Sequence, residues 1–83
     1  MKEKFDIEID EHDDIKLNEL LNLIIEDACS DRASDIHLNP AKQAFKIRYR
    51  VDGALRDIST LSDLLYNPLV KKIKERASLN SDI

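Results

Sequence analysis

Apolar positions recur along this chain with two different periods, and the switches between them mark its elements. Leu17, Leu20, Leu21, Ile24, Ile25 and Ala28 follow the three-and-four spacing of one helix face, with Asn22, Glu26 and Asp27 on the solvent side. Asp13 or Asp14 can cap the start, where a carboxylate accepts otherwise unpaired amide protons. The helical pattern ends near Ser30 or Asp31. The period then drops to two. Ile36 and Leu38 share one face of a strand over Ser34 to Leu38, and Asp35 and His37 share the other. Asn39-Pro40-Ala41-Lys42 reads as a turn, because proline fixes its own φ and disfavours helix before it. Phe45, Ile47, Tyr49 and Val51 alternate with Lys46, Arg48 and Arg50, the clearest strand of the chain. Asp52-Gly53 is a two-residue hairpin signal, and Ala54 to Ile58 is the returning strand. Ser59 to Asn67 predicts one short helical turn around Leu61, Leu64 and Leu65. Asn67-Pro68 then reads as an N-cap and first helical position. Leu69, Val70, Ile73 and Ala77 form the inner stripe of a second helix, with Lys71, Lys72, Lys74, Glu75 and Arg76 outside. The expected fold class is α+β: a small antiparallel sheet of three strands with a helix before and after it, in the order α-β-β-β-α.

The first fourteen residues fit none of these periods well. Phe5, Ile7 and Ile9 alternate with charges, which admits a short edge strand, but residues 1–14 read rather as an acidic lead-in or linker to a domain over 15–83. Charge reinforces the division. Residues 1–31 hold eleven acids against three lysines, and residues 32–83 hold ten basic residues against six acids. An acidic head thus precedes a basic body suited to anions or acidic partners.

Composition narrows the function classes. Eighty-three residues suffice for one small domain with a marginal core. No apolar run approaches the ~18 residues that span a bilayer, and the amino terminus lacks a signal peptide's apolar segment. The single cysteine, Cys29, excludes an internal disulfide and a multi-cysteine zinc site, and its place at the rim of the apolar stripe predicts a buried, inert thiol. A soluble protein of a reducing compartment is expected. One glycine in the whole chain leaves no room for a Gly-x-x-x-x-Gly-Lys-Ser/Thr phosphate loop, and there is no Gly-x-Ser-x-Gly elbow. No hydrolase reading survives from these residues alone.

The candidate chemistry lies on the hairpin. Arg48 and Arg50 are two apart on one strand, so both guanidinium groups leave the same face; Lys46 extends the row, and Arg56 on the returning strand is a further candidate. Guanidinium is planar, permanently charged and able to grip phosphate or carboxylate with two bonds at once. Two readings stand: an anion reader, or a solvated outer face. Asp52-Gly53 has the plain explanation of turn chemistry. Asp35 and His37 share a strand face and could form an acid–base pair or half a metal site, but two ligands do not make a site, so a structural or partner-binding role is expected and no metal. Phe45 and Tyr49 interleave with the arginines as in base-stacking sheets, but on the opposite face. With the negative net charge, that argues against nucleic acid.

Two strings carry a resemblance. Arg32-Ala33-Ser34-Asp35-Ile36-His37-Leu38-Asn39-Pro40 resembles the R-A-S-D-I-H-[IL]-E-P signature of the type II secretion and type IV pilus assembly ATPases. Arg48-Tyr49-Arg50-Val51-Asp52-Gly53-Ala54-Leu55-Arg56 resembles that family's R-[YF]-R-[IV]-D-G-x-L-R. The flanking helices are similar too, so the likeness runs from about Lys16 to Leu79. Asn39 stands where a glutamate is usual, and Leu79 to Ile83 only loosely matches the family's next run. The resemblance implies a partial PAS-like amino-terminal domain, cut before the strands that complete its sheet. Such a piece is not an enzyme by itself and holds no cofactor. The parent would be a cytoplasmic, homo-hexameric ATPase using ATP and Mg, peripheral at the inner face of the membrane. Its partners would be the motor domain of the same or an adjacent subunit and the inner-membrane secretion or pilus platform. The resemblance further implies that Arg48, Arg50 and Arg56 contact nucleotide phosphates in trans. Ala33, Ser34, Asp35, His37, Asp52 and Gly53 would serve interface and packing. The alternative reading is a stand-alone scaffold or adaptor domain that docks an acidic partner.

Overall fold

The computed structural model describes Phe5 and residues 8–79, the last three as backbone only. The positions assigned above to Ile7, Ala77 and residues 80–83 lie outside the described side chains. The elements are α1 (Asp14–Ser30), β1 (Asp35–Ala41), β2 (Ala44–Val51), β3 (Ala54–Ser62), a 3-10 turn (Asp63–Leu65) and α2 (Tyr66–Leu79). The order is the α-β-β-β-α expected from the periodicity. The sheet is an antiparallel meander, β1-β2-β3, with β2 in the middle.

Each helix is set by local chemistry. Asp13 caps α1, its carboxylate accepting the Lys16 N–H at 3.1 Å. At the other end Arg32 takes φ +59°, donating its N–H to Cys29 O, while the Ala33 N–H reaches back to Ala28 O. These are the two reverse bonds of a Schellman cap, with arginine in the left-handed position that glycine usually fills. Ala33 packs against the core just beyond it, so the cap turns the chain from α1 into β1.

Four ends differ from the sequence reading. β1 runs on to Ala41 through Pro40, and the turn is Lys42-Gln43. β1 is an edge strand, where an absent N–H can point away from the sheet at no cost. β3 continues to Ser62 because Ser59 and Leu61 sit on the core face opposite Ile47 and Phe45. Helical geometry then begins at Asp63 and passes unbroken into α2. Ser62 caps the 3-10 turn, its hydroxyl accepting the Leu64 N–H at 3.2 Å, so Asn67 is not a cap. Pro68 falls within the first turn of α2, where helix tolerates it.

Both helices cover one face of the sheet. Phe45, Ile47 and Tyr49 are fully buried there with Leu20, Ile24 and Leu69, and Val51, Leu61 and Leu65 close the cluster. Phe45 meets Tyr66 edge to face at 5.5 Å. The acidic lead-in reaches this core: Phe5 is buried, and its backbone N–H and C=O both bond the Ser59 hydroxyl at 3.2 Å. Ile9 packs against the same cluster. Lys72, placed by its pattern on the outer face of α2, instead turns toward α1 and pairs with Asp14, its aliphatic stem buried. Cys29 is exposed rather than buried, because the buried stripe of α1 ends on Ala28 and the next residue is rotated ~100° away.

Tyr49 joins sheet to helix through its hydroxyl, which lies 2.9 Å from Asp27 Oδ2 and 3.3 Å from Ile24 O. Asp27 is therefore half-buried and functionally inward, not a solvent residue. Burial, then the hydrogen bond to Asp27 and that carboxylate's charge, push the phenol well above its ordinary ionisation range. An unfolded tyrosine ionises near pH ~10. Above that pH the native chain keeps a proton the unfolded chain has released, so this contribution is intact below pH ~10 and is lost as pH rises further. Urea midpoints followed from pH 8 to pH 11 should therefore fall faster for the wild type than for Tyr49→Phe. Parallel curves would refute the assignment.

Candidate functional site

The sheet face turned away from the helices is the candidate site. Alternation puts Lys46, Arg48 and Arg50 on it, because Phe45, Ile47, Tyr49 and Val51 claim the other side. Pairing then decides their neighbours. In β1, Asp35 lies opposite Arg50, His37 opposite Arg48 and Asn39 opposite Lys46. In β3, Leu55 lies opposite Arg50, Asp57 opposite Arg48 and Thr60 opposite Lys46. The arginine row is thus flanked by one strand on each side, and each arginine has a carboxylate on an adjacent strand.

The geometry shows how they are held. Arg48 Nε is 2.8 Å from Asp57 Oδ1. The oxygen sits off the N–H axis, and no directed hydrogen bond forms from this enclosed nitrogen, so the contact is ionic rather than directional. Arg50 Nε is 3.3 Å from Asp35 Oδ2, and its Nη1 donates to Gly53 O at 3.2 Å. Asp35 therefore steadies Arg50. His37 Nε2 is 3.9 Å from the same Asp35 oxygen and, though enclosed, has no hydrogen-bond partner there. The arginine side chains keep about a third of their surface (33% and 38%), so both remain reachable from solvent. Exposed ion pairs of this kind contribute only ~0–1 kcal/mol, and an incoming phosphate or carboxylate can displace them.

Arg56 is not part of the row. It lies opposite Tyr49, on the helix-facing side of β3, and is exposed. The two-residue hairpin at Asp52 (φ +53°) and Gly53 (φ +83°) dictates this, since it sets Val51 against Ala54 and every following pair by count. A register shift follows only beyond Arg48. The other candidates scatter by role. Ala33 is half-buried against the core, Ser34 bonds Arg50 O through both its backbone N–H (2.9 Å) and its hydroxyl (3.4 Å), and Asp52 and Gly53 form the turn. The sequence reading missed Asp57; its signal was the same hairpin count that moves Arg56 away.

Phe45 and Tyr49 are fully buried, so neither can stack a base from the arginine face. Among the described residues no group of three or more histidine, cysteine or acidic side chains is placed to hold a metal ion.

Comparison with known proteins gives this geometry a family setting. A family model described as "Type II/IV secretion system protein" matches residues 10–82. The type IV pilus assembly ATPase PilB of Myxococcus xanthus is 38% identical over 68 residues, covering 82% of this chain and 12% of PilB. The type II secretion system protein HxcR of Pseudomonas aeruginosa is 39% identical over 72 residues, covering 87% of this chain and 15% of HxcR. A type II secretion system protein E from Klebsiella pneumoniae is 38% identical over 72 residues, covering 87% and 14%. The chain therefore spans 12–15% of the length of these relatives.

Proposed function

The chain belongs to the type II/IV secretion system protein family, and from that premise we propose that it is the regulatory and interface domain of a hexameric ATPase that powers type II secretion or type IV pilus assembly. In this reading the domain supplies arginines to the nucleotide site of a neighbouring subunit. The observation that carries it is the pair Arg48 and Arg50, aligned on one exposed face and held by exchangeable ion pairs. Docking that face against a motor domain carrying ATP and Mg would let phosphate oxygens replace Asp57 and Asp35. Guanidinium groups so placed neutralise charge that develops during phosphoryl transfer. Arg56 points from the other face and would reach phosphate only if the nucleotide lay at the β3 edge. The phosphate-binding loop has to lie elsewhere in the parent, because this chain's one glycine cannot build it. In this reading the domain meets the secretion platform through protein contacts at the inner face of the membrane; no described helix is long and apolar enough to cross a membrane.

Removing residues 8–79 from the full-length parent should lower its ATP turnover while the remaining motor domain still binds nucleotide. Unchanged turnover overturns the proposal. So does a coding sequence with no phosphate loop within roughly 150 residues after Ile83, about one domain length; that outcome would favour an adaptor that offers the arginine face to an acidic partner.

A further inference from the structure

Two side-chain nitrogens in the arginine face are enclosed without a hydrogen-bond partner, His37 Nε2 and Arg48 Nε. They belong to residues that sit directly opposite each other across β1 and β2. Enclosed polar atoms are nearly always paired, so two orphans on one cross-strand pair indicate that these groups have a second arrangement. The surroundings of His37 show what it is. Asp35 lies two residues back on its own strand. Arg48 is directly across on β2, with Arg50 and Lys46 on the two diagonals. Asp57 lies one strand further, on Arg48. Both helices cover the other face, so among the described residues these are the charged groups that His37 meets.

One carboxylate oxygen is shared between two of them. Asp35 Oδ2 is 3.3 Å from Arg50 Nε and 3.9 Å from His37 Nε2. The first contact is an ion pair, and the second exceeds a charge-assisted hydrogen bond by about 1 Å. Neutral imidazole has little hold on that oxygen, so Asp35 stays with Arg50 and competes with an incoming anion. Imidazolium carries a full charge and donates from both nitrogens. The carboxylate then moves to His37 and uncovers Arg50 Nε. Arg50 stays oriented, because its Nη1 still donates to Gly53 O. With His37 neutral, Lys46, Arg48 and Arg50 stand against Asp35 and Asp57; protonation adds a fourth cation. That places like charge opposite Arg48, which is unfavourable by itself and is relieved by a bound dianion.

We propose that His37 is a positioning residue that gates the arginine face by taking up a proton: neutral, it leaves Asp35 on Arg50; protonated, it draws Asp35 away and opens Arg50 to a phosphate-type dianion. Imidazole is the side chain that ordinarily changes charge between pH ~5 and ~8, while carboxylates and guanidinium groups hold theirs. Anion binding and proton uptake at His37 therefore favour each other by the same factor. The gate acts on Arg50 rather than Arg48, because Arg48 has its own carboxylate, Asp57, on the side away from β1. The proposal rests on the reading that this face receives phosphate, and adds that it does so more readily as pH falls.

Sulfate serves as the probe because it stays a dianion throughout this range. It is titrated into the 83-residue chain at constant ionic strength, and the Arg48 and Arg50 Nε–H signals are followed by nuclear magnetic resonance. Binding should be at least ~fivefold tighter at pH ~5.5 than at pH ~8, the scale of one charge added a few ångströms from a dianion in a screened, wet site. His37→Gln should remove that dependence although His12 is left in place. Asp35→Asn should bind at pH ~8 about as tightly as the wild type does at pH ~5.5 and lose most of the dependence, because Arg50 is then always uncovered. An unaltered dependence in His37→Gln overturns the gate. So does a full dependence in Asp35→Asn, which would mean that His37 acts on the anion itself. Sulfate that moves both arginine signals equally at the two pH values overturns the gate and leaves the phosphate-face reading standing. Sulfate that moves neither signal overturns both. If His37→Gln does not fold, the Asp35→Asn response decides.

Discussion

Tyr49→Ala is expected to leave little of the chain folded at 25 °C. The ring is fully buried in the middle strand, and its hydroxyl meets Asp27 and Ile24 on α1. Truncating a buried aromatic to alanine costs ~3–5 kcal/mol through lost transfer and the cavity left behind. Asp27 and the Ile24 carbonyl lose a partner as well, at ~1–3 kcal/mol where burial keeps water away. A domain of this length has only ~4–12 kcal/mol to lose, at ~0.05–0.15 kcal/mol per residue. Urea unfolding followed by circular dichroism reads the result directly. Tyr49→Phe keeps the ring and should lose ~1–2 kcal/mol, because only the hydroxyl bonds go. A near wild-type midpoint for Tyr49→Ala would mean that α1 is not tied to the sheet through this residue.

The second large effect concerns the arginine row. In the full-length hexamer of the proposed reading, Arg48→Ala combined with Arg50→Ala should lower ATP turnover by ~10³ or more, the scale of an arginine supplied in trans. Nucleotide affinity should change less than ~tenfold, since the groups act mainly on charge developing during transfer. Arg56→Ala should have a smaller effect, because that side chain leaves the opposite face. Steady-state turnover measured beside nucleotide binding separates the two quantities. Equal losses from Arg56→Ala and from the row would refute the division between faces, and unchanged turnover in both variants would end the role in trans.

Much of this arrangement was legible before any coordinates. The stripe from Leu17 to Ala28, the alternation from Phe45 to Val51 and the Asp52-Gly53 turn each follow one strong local rule, and their elements stand where those rules put them. The misses arise where a local rule yields to a neighbour. Pro40 reads as a turn residue until β1 is known to be an edge strand. Asp27 reads as solvent until Tyr49 is known to arrive beneath it, and Lys72 reads as surface until α1 supplies Asp14. Phe5 stands alone among charges, and only its burial against Ser59 shows that the lead-in reaches the core. Asp57 and Arg56 differ in kind. Their faces follow from counting outward from a two-residue turn, so that part of the site was present in the sequence as arithmetic.

That arithmetic makes the turn a switch with two settings. Side chains alternate, so turn length acts as a parity bit for everything downstream in β3. One residue inserted beside Gly53 would flip the strand, carry Arg56 onto the open face and turn Asp57 away from Arg48. A basic face whose guanidinium groups are each matched by a carboxylate would become one with surplus positive charge, with no change to any charged residue. Loop length at this hairpin is therefore a lever on anion affinity that variation among relatives could use without altering a single arginine.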